Sequence, residues 1–387
     1  MSDLSAIVGP RIFDGEDWHD DAALLIEFGL VSAVVRAADV PAHALTTRLD
    51  GGLIAPGFVD LQVNGGGGVL LNNAPTLASI RTICAAHAQF GTTALLPTLI
   101  TDTVAVNAAA IAAGEAALAQ GVPGFIGLHL EGPHLSVARK GTHDPALIRP
   151  MDDADLARLV AARAALPNVL VTVAAETVTP RQIAALVDAG IIVSLGHSDA
   201  GYEEASAAFA AGASMATHLF NAMSQLGNRE PGVVGAALFN GHVHAGLIAD
   251  GIHVHPAAIQ LALRAKVGPG HVFLVTDAMS QTGTDLTSLT LNGREITRAD
   301  GALRLSDGTL AGADLDMIDA VAFMHKEIGL PLDEALRMAS LYPAQAMGIG
   351  EDYGQLRPGA VASFVHLSKD LAVRSTWIAG QKVYQSA

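Results

Sequence analysis

Two textures of apolar residues alternate along the middle of the chain. Short apolar runs at 57–63, 93–99, 125–130, 169–174, 191–195, 214–217, 245–249 and 272–276 predict strands. Between most of them lie Ala-rich stretches whose apolar positions recur every 3.6 residues or so. Examples are 77–89, 103–119, 152–165 and 179–189, which predict helices. Eight strands alternating with helices is the count of an α/β fold of the TIM-like (β/α)8 barrel type. A doubly wound open sheet is the alternative that the same alternation admits.

The two ends break this rhythm. Residues 1–55 contain AIVGPRIFDG, AALLIEFGLVSAVV and LDGGLIAP, and the last segment contains GAVASFVHL and AVRSTWIAGQKVY. Each run is bounded by Gly, Pro or Asp turn residues, as strands are. Neither end is long enough to make a sandwich alone. The expected organisation is therefore a small β-sandwich built from 1–55 and 355–387, around a barrel spanning 56–354. Within the barrel, 285–310 carries LTLNGREI and ALRLSDGTL and reads as a β-hairpin inserted after the last strand.

Composition narrows the function classes. Half of the 387 residues are hydrophobic and 16% are charged, enough for a large core and too apolar for disorder. The formal net charge of −16 argues against nucleic acid or an anionic membrane as partner. An anionic substrate would need a local pocket of arginine or histidine. No stretch resembles a signal peptide and no run reaches about 18 apolar residues, so a soluble, cytoplasmic protein is expected. The single cysteine, Cys84, cannot form an internal disulfide and fits a reduced compartment as core packing.

The chemistry collects where strands end. After the predicted strands come Gln62-Val63-Asn64, His129-Leu130-Glu131, Gly196-His197-Ser198, His218, Asp250-Gly251-Ile252-His253 and Thr276-Asp277. A lone histidine at a strand end is more often structural than a ligand. Six of eight strand ends carrying polar groups is different, because barrel sites are assembled from several strand ends on one rim. Glu131, His197 and His218 are a candidate set of three ligands for a divalent metal, with a fourth position left for water. Asp277 would lie over the same mouth and could carry a proton from that water to a leaving group. His253 is a candidate substrate contact, His255 a surface residue, and His242 and His244 loop residues. Competing motifs fail: Gly65–Gly68 lacks the last glycine of G-x-G-x-x-G, since residue 70 is Leu. Gly196-His197-Ser198-Asp199-Ala200 lacks the last glycine of a nucleophile elbow.

The ordered set APGFVDLQVNG, GLHLEGPHL, KGTHDP, SLGHSDA, THLFNAM, ADGIHV, LVTDAM and TLAGAD resembles the N-acetylglucosamine-6-phosphate deacetylases of the amidohydrolase superfamily. The resemblance spans nearly the whole chain, the split β-domain included. It implies hydrolysis of the acetamide of N-acetylglucosamine 6-phosphate, with Glu131, His197 and His218 as metal ligands and Asp277 as general base and acid. It implies that His143 helps to polarise the amide carbonyl. Thr142, Asn221, Ala222, Arg229, His253 and the turn Leu310, Ala311, Gly312 match sugar- and phosphate-contacting positions, with Arg229 as the main phosphate grip. In the family that grip is partly completed across a subunit interface, which implies a homodimer or homotetramer. Gln62 and Asn64 stand where many superfamily members carry a His-x-His pair for a second metal. Neutral amides are poor ligands for zinc or iron, so one metal ion is expected, Zn2+ or Fe2+. Two other readings compete. One is a related amidohydrolase acting on N-acetylgalactosamine 6-phosphate or a cyclic amide. The other is a non-catalytic binding protein on the same fold, which would be expected to have lost ligands.

Overall fold

The computed structural model describes residues 4–386. All eight predicted barrel strands are present: β1 (Phe58–Val63), β2 (Thr92–Ile100), β3 (Leu128–Glu131), β4 (Val169–Val173), β5 (Ile192–Leu195), β6 (Met215–Ala216), β7 (His244–Leu247) and β8 (Val272–Leu274). They pair in parallel, each with its sequence neighbour, in the order β8-β7-β6-β5-β4-β3-β2-β1. Closure decides between barrel and open sheet. Val63 bridges Ala278 in parallel, the Asp277 N–H donates to Gln62 O at 3.0 Å, and the Asn64 N–H donates to Ala278 O at 2.9 Å. The first and last strands therefore meet, and the fold is a TIM-type barrel.

Buried Asp60 reinforces that seam. Its Oδ1 accepts the backbone N–H groups of Gln62 (3.2 Å) and Thr276 (3.3 Å), and its Oδ2 pairs with the Thr276 hydroxyl at 2.5 Å. Helices start where threonine or aspartate can satisfy the free N–H groups of a first turn. Thr76, Thr103, Asp152 and Thr179 each accept from the third residue beyond them, and Asp152 and Thr179 form reciprocal capping boxes.

Alternation along β3 shows how the barrel divides its residues. Leu128 and Leu130 pack outward against helix residues such as Ala113 and Leu159. His129 and Glu131 point the other way, because successive strand residues face opposite sides. Inside, His129 Nε2 bonds the Thr172 hydroxyl at 2.8 Å, which bonds Thr217 at 2.7 Å, which bonds Ser194 at 2.6 Å. This polar layer lies one step below Glu131 and keeps its donors and acceptors satisfied without water.

The termini form the expected sandwich. A six-stranded sheet runs Gln381–Gln385, Val373–Ile378, Phe364–Leu367, Leu53–Pro56, Arg11–Phe13, Trp18–His19, joining both ends of the chain. A four-stranded sheet of Leu30–Arg36, Ala22–Glu27, Ser5–Val8 and Leu45–Arg48 faces it. Ile12, Ile54 and Phe364 from the first meet Ile7, Leu24 and Ile26 from the second in one buried cluster.

The predicted hairpin at 285–310 is larger than expected. It is a four-stranded antiparallel sheet of Ser288–Leu291, Arg294–Ala299, Ala302–Leu305 and Leu310–Ala313. Two two-residue turns produce it, Asn292-Gly293 (φ 49° and 73°) and Asp300-Gly301 (φ 52° and 71°). Such positive-φ pairs are what tight hairpins need, and Asp300-Gly301 adds the strand pair that the hairpin reading omits. Leu289, Leu291, Ile296, Leu303 and Ala311 pack with Leu70, Ile100 and Met279, setting this sheet over the barrel mouth. His244 also departs from expectation: it opens β7, at the end of the barrel away from the strand-end groups, and its Nδ1 accepts from the His271 N–H. Among the described residues, no helix is long and apolar enough to cross a membrane.

Candidate active site

The carboxyl-terminal rim of the barrel opens into a cavity of about 540 Å³. Its wall includes Asn64, Glu131, Thr142, His143, His197, His218, Asn221, Ala222, His253, Asp277, Leu310 and Gly312. Three of these rim residues turn inward through unusual backbone conformations. His197, His218 and Asp277 have φ of 48°, 29° and 51°, a left-handed region that costs a non-glycine residue roughly 1–3 kcal/mol. The barrel closes tightly around them. A Cβ on Gly196 would lie 2.7 Å from Thr217 Cβ, so only glycine fits before His197.

Glu131 stands at the centre. Its Oε1 lies 3.2 Å from His197 Nε2 and 3.2 Å from His218 Nε2, and the two nitrogens are 3.2 Å apart. Four-coordinate zinc holds N and O ligands at about 2.0–2.1 Å, which puts neighbouring ligand atoms about 3.3–3.4 Å apart. The triangle fits. Burial pushes the Glu131 carboxyl up, but the His197 and His218 rings beside it outweigh burial and hold the carboxyl well below its usual range. It is a carboxylate at neutral pH, as a ligand must be. Gln62 Nε2 donates to Glu131 Oε1 and Oε2 at 3.3 and 3.4 Å, bracing it from below.

His143 also lies close, and Glu131, His143 and His197 offer donor atoms within 4.8 Å of one another. Protonation separates the two histidines. His197 Nδ1 faces the Arg139 carbonyl at 2.7 Å, so that nitrogen donates and Nε2 keeps its lone pair for a metal. His143 Nδ1 accepts the backbone N–H of Thr101 at 3.3 Å and bonds the Thr101 hydroxyl at 2.7 Å. Its proton is therefore on Nε2, which points towards Glu131 Oε2 at 3.9 Å. Burial, with the His197 ring alongside, pushes the His143 pKa well down, keeping it a neutral N–H donor. Glu131, His197 and His218 could together hold one metal ion, with His143 beside them as an N–H donor.

Asp277 faces this group from β8. Burial raises its pKa to about 6, opposed by the positive field of His218 and reinforced by Glu131, while a hydrogen bond from Asn64 again lowers it. That value suits a group that both takes and gives a proton near neutrality. His253 is buried at the rim and fixed by Asp250, whose Oδ2 lies 2.6 Å from its Nδ1.

The family model described as "Amidohydrolase family" matches residues 53–383. The chain belongs to the amidohydrolase family. It is thus a metal-dependent hydrolase, and the match runs from the sandwich strand Leu53–Pro56 through the barrel to the last terminal strand. An N-acetylgalactosamine-6-phosphate deacetylase of Shewanella sp. (strain ANA-3) is 46% identical over 349 residues, covering 90% of this chain and 86% of that protein. An N-acetylglucosamine-6-phosphate deacetylase of Vibrio furnissii is 36% identical over 386 residues, covering 97% and 94%. The crystal structure of N-acetylglucosamine-6-phosphate deacetylase from Pasteurella multocida superposes with a TM-score of 0.94 at 36% identity, over 99% of this chain and 100% of that one.

Not every expected residue reaches the cavity wall. Ala311 is fully buried in the inserted sheet between Leu310 and Gly312, which do line the wall. Gln62 sits beneath Glu131 rather than in the cavity. Arg229 is exposed on the loop beyond Asn221, outside the wall formed by its own chain. Residues that sequence reasoning passes over include Thr101, Arg139 and Arg304. The arginines line the mouth, and Thr101 directly follows β2. Thr101 does follow a predicted strand, but a threonine there is too common to stand out.

Proposed function

We propose that the chain hydrolyses the acetamide of N-acetyl-D-glucosamine 6-phosphate, giving D-glucosamine 6-phosphate and acetate. One divalent ion, zinc or ferrous iron, would be held by Glu131, His197 and His218. The observation that carries this reading is the pairing of two protonation states on one wall. A triangle of one carboxylate oxygen and two imidazole nitrogens at 3.2 Å stands beside a histidine that presents an N–H. The first suits a cation, the second a developing oxyanion.

A bound ion supplies acidity to water and positive charge towards the carbonyl oxygen. The chain's own residues do the rest. His143 donates Nε2–H to that oxygen as negative charge develops, a contribution that typically reaches about 10²–10³ in kcat. Asp277 takes the proton from the attacking water and hands it to the nitrogen as the C–N bond breaks. Without that transfer the tetrahedral adduct reverts. Thr142, Asn221, Ala222, His253, Leu310 and Gly312 supply the sugar-facing wall. Arg304 and Arg139, the latter also paired with Asp199 at 2.7 Å, would supply cationic groups at the mouth for the phosphate, and exposed Arg229 would serve the cavity of a second subunit in a homodimer or homotetramer.

The test is acetate release from N-acetylglucosamine 6-phosphate, its galacto epimer and the unphosphorylated sugar, alongside the molecular mass in solution. A much higher kcat/KM for the phosphorylated sugar is expected, and equal rates without phosphate would refute the assignment. The galacto epimer is the second reading, favoured by the 46% identical Shewanella relative. A higher kcat/KM for that epimer would select it.

A further inference from the structure

Asn64 follows β1 and is buried. Its backbone is fixed by the seam that closes the barrel, donating to Ala278 O at 2.9 Å and accepting from the Leu71 N–H at 3.0 Å. Its Nδ2 lies 2.7 Å from Asp277 Oδ1 and 3.4 Å from the Asp277 backbone oxygen. Both are acceptors, so the amide must turn its nitrogen to Asp277 and its oxygen away. That oxygen, Oδ1, is buried without a hydrogen-bond partner in the protein, and Asn64 is part of the cavity wall. A buried acceptor of this kind is costly unless a ligand brings it a donor.

We propose that Asn64 contacts the substrate and couples the scissile nitrogen to Asp277. Nδ2 holds Asp277 by Oδ1 and leaves Oδ2 to carry the proton, while Asn64 Oδ1 accepts the N–H of the acetamide. The proposal rests on the deacetylase reading above. It replaces the view of residue 64 as an idle remnant of a second metal position. In the reaction, the water oxygen bonds to the carbonyl carbon as its proton passes to Asp277 Oδ2. The C–N bond then breaks, its electron pair goes to nitrogen, and the proton moves from Oδ2 to that nitrogen. An N–H anchored on Asn64 fixes where the nitrogen lone pair points when that proton arrives. The sugar phosphate's acetamide supplies the donor that Oδ1 lacks, and an ester of the same sugar does not.

The experiment compares Asn64→Leu and Asn64→Ala with the wild-type metal-loaded enzyme. Substrates are the acetamido sugar phosphate and its 2-O-acetyl ester counterpart. In both variants kcat on the amide should fall about 100-fold. On the ester the loss should be no more than about tenfold, because only the hold on Asp277 is removed there, with metal content and Tm near wild type. Equal losses on amide and ester, or loss of bound metal, overturn the proposal by making Asn64 a structural or metal-site residue. An unchanged amide rate overturns it as well. Should neither variant fold, the wild type alone decides with an N-methylacetamido substrate, whose kcat should be more than about tenfold lower. A kcat equal to that of the parent amide would then sink the idea. A wild-type enzyme that releases acetate from neither sugar phosphate refutes the deacetylase reading. One that does so, with variants keeping the amide-to-ester ratio, refutes only the role of Asn64.

Discussion

His143 and His197 line one cavity wall with their rings 4.3 Å apart, yet they are set for opposite work. A carbonyl behind His197 takes its Nδ1 proton and frees Nε2, whereas an N–H behind His143 occupies Nδ1 and leaves the proton on Nε2. Backbone groups thus suit one ring to the part of a ligand and the other to that of an oxyanion donor. This distinction is invisible in a sequence, where both are simply histidines in polar loops. That Glu131, His197, His218 and Asp277 gather on one wall was legible because each follows a predicted strand. Thr101, which fixes His143, was not, since its contribution depends on a contact across 42 positions. At this scale the decisive substitution is Asp277→Asn, which keeps the shape and cannot shuttle a proton. We expect kcat to fall by about 10³-fold, within the usual range for a general acid–base group. Metal content and substrate affinity should be retained. Steady-state kinetics with metal analysis checks this, and a near-normal kcat would remove Asp277 from the mechanism.

At the scale of elements, the barrel seam and the inserted sheet share responsibility for placing Asp277. Gly312, in the strand Leu310–Ala313, has φ 65°, and a Cβ there would lie 2.8 Å from the Asp277 carbonyl oxygen and 2.6 Å from Met279 Cγ. That carbonyl accepts the Ala313 N–H at 2.9 Å, so the sheet is tied directly to Asp277. Gly312→Ala should therefore cost about 1–3 kcal/mol through backbone strain and lower kcat with it. Thermal denaturation and kinetics would show it, and an unchanged Tm would mean that the sheet shifts freely. The seam itself carries a pH dependence. Burial raises the Asp60 pKa to about 7, against hydrogen bonds from Thr276 and Gln62 that lower it. The unfolded carboxyl titrates at about 3.9. Between these values the folded chain binds more protons than the unfolded one, so stability falls as pH rises from about 4 to about 7. Asp60→Asn keeps an acceptor for the two N–H groups and offers a donor to Thr276. Its Tm at pH 8 should exceed that of wild type by several degrees, with the gap closing below about pH 4. A lower Tm at pH 8 would contradict the account. The strands and sandwich were readable from apolar runs and turn residues. The extent of the inserted sheet was not, because its outward faces are polar and short strands carry weak periodicity.

Across the whole molecule, charge opposes the proposed substrate. The chain carries a formal net charge of −16, and a sugar phosphate approaches with up to two negative charges at neutral pH. For the proposed substrate, Arg139 and Arg304 at the mouth would act by contact, whereas the excess of acidic groups acts over distance. Salt separates these effects because screening depends on range. The Debye length falls from about 30 Å at 0.01 M to about 10 Å at 0.1 M. Over that interval the long-range repulsion is largely removed, while ion pairs made at contact distance at the cavity mouth lose less. The result should be a rise in kcat/KM for the phosphorylated sugar of about two- to fivefold, reversing only at higher salt as the arginine contacts weaken. The unphosphorylated sugar, which feels neither field, should show a flat profile and serves as the control for salt effects on the fold. Substituting Arg304→Gln should lower kcat/KM for the phosphorylated sugar at every salt concentration and leave the initial rise in place, since the distant charges are unchanged. A monotonic fall from the lowest salt would instead mean that the local arginines govern the approach as well as the bound state.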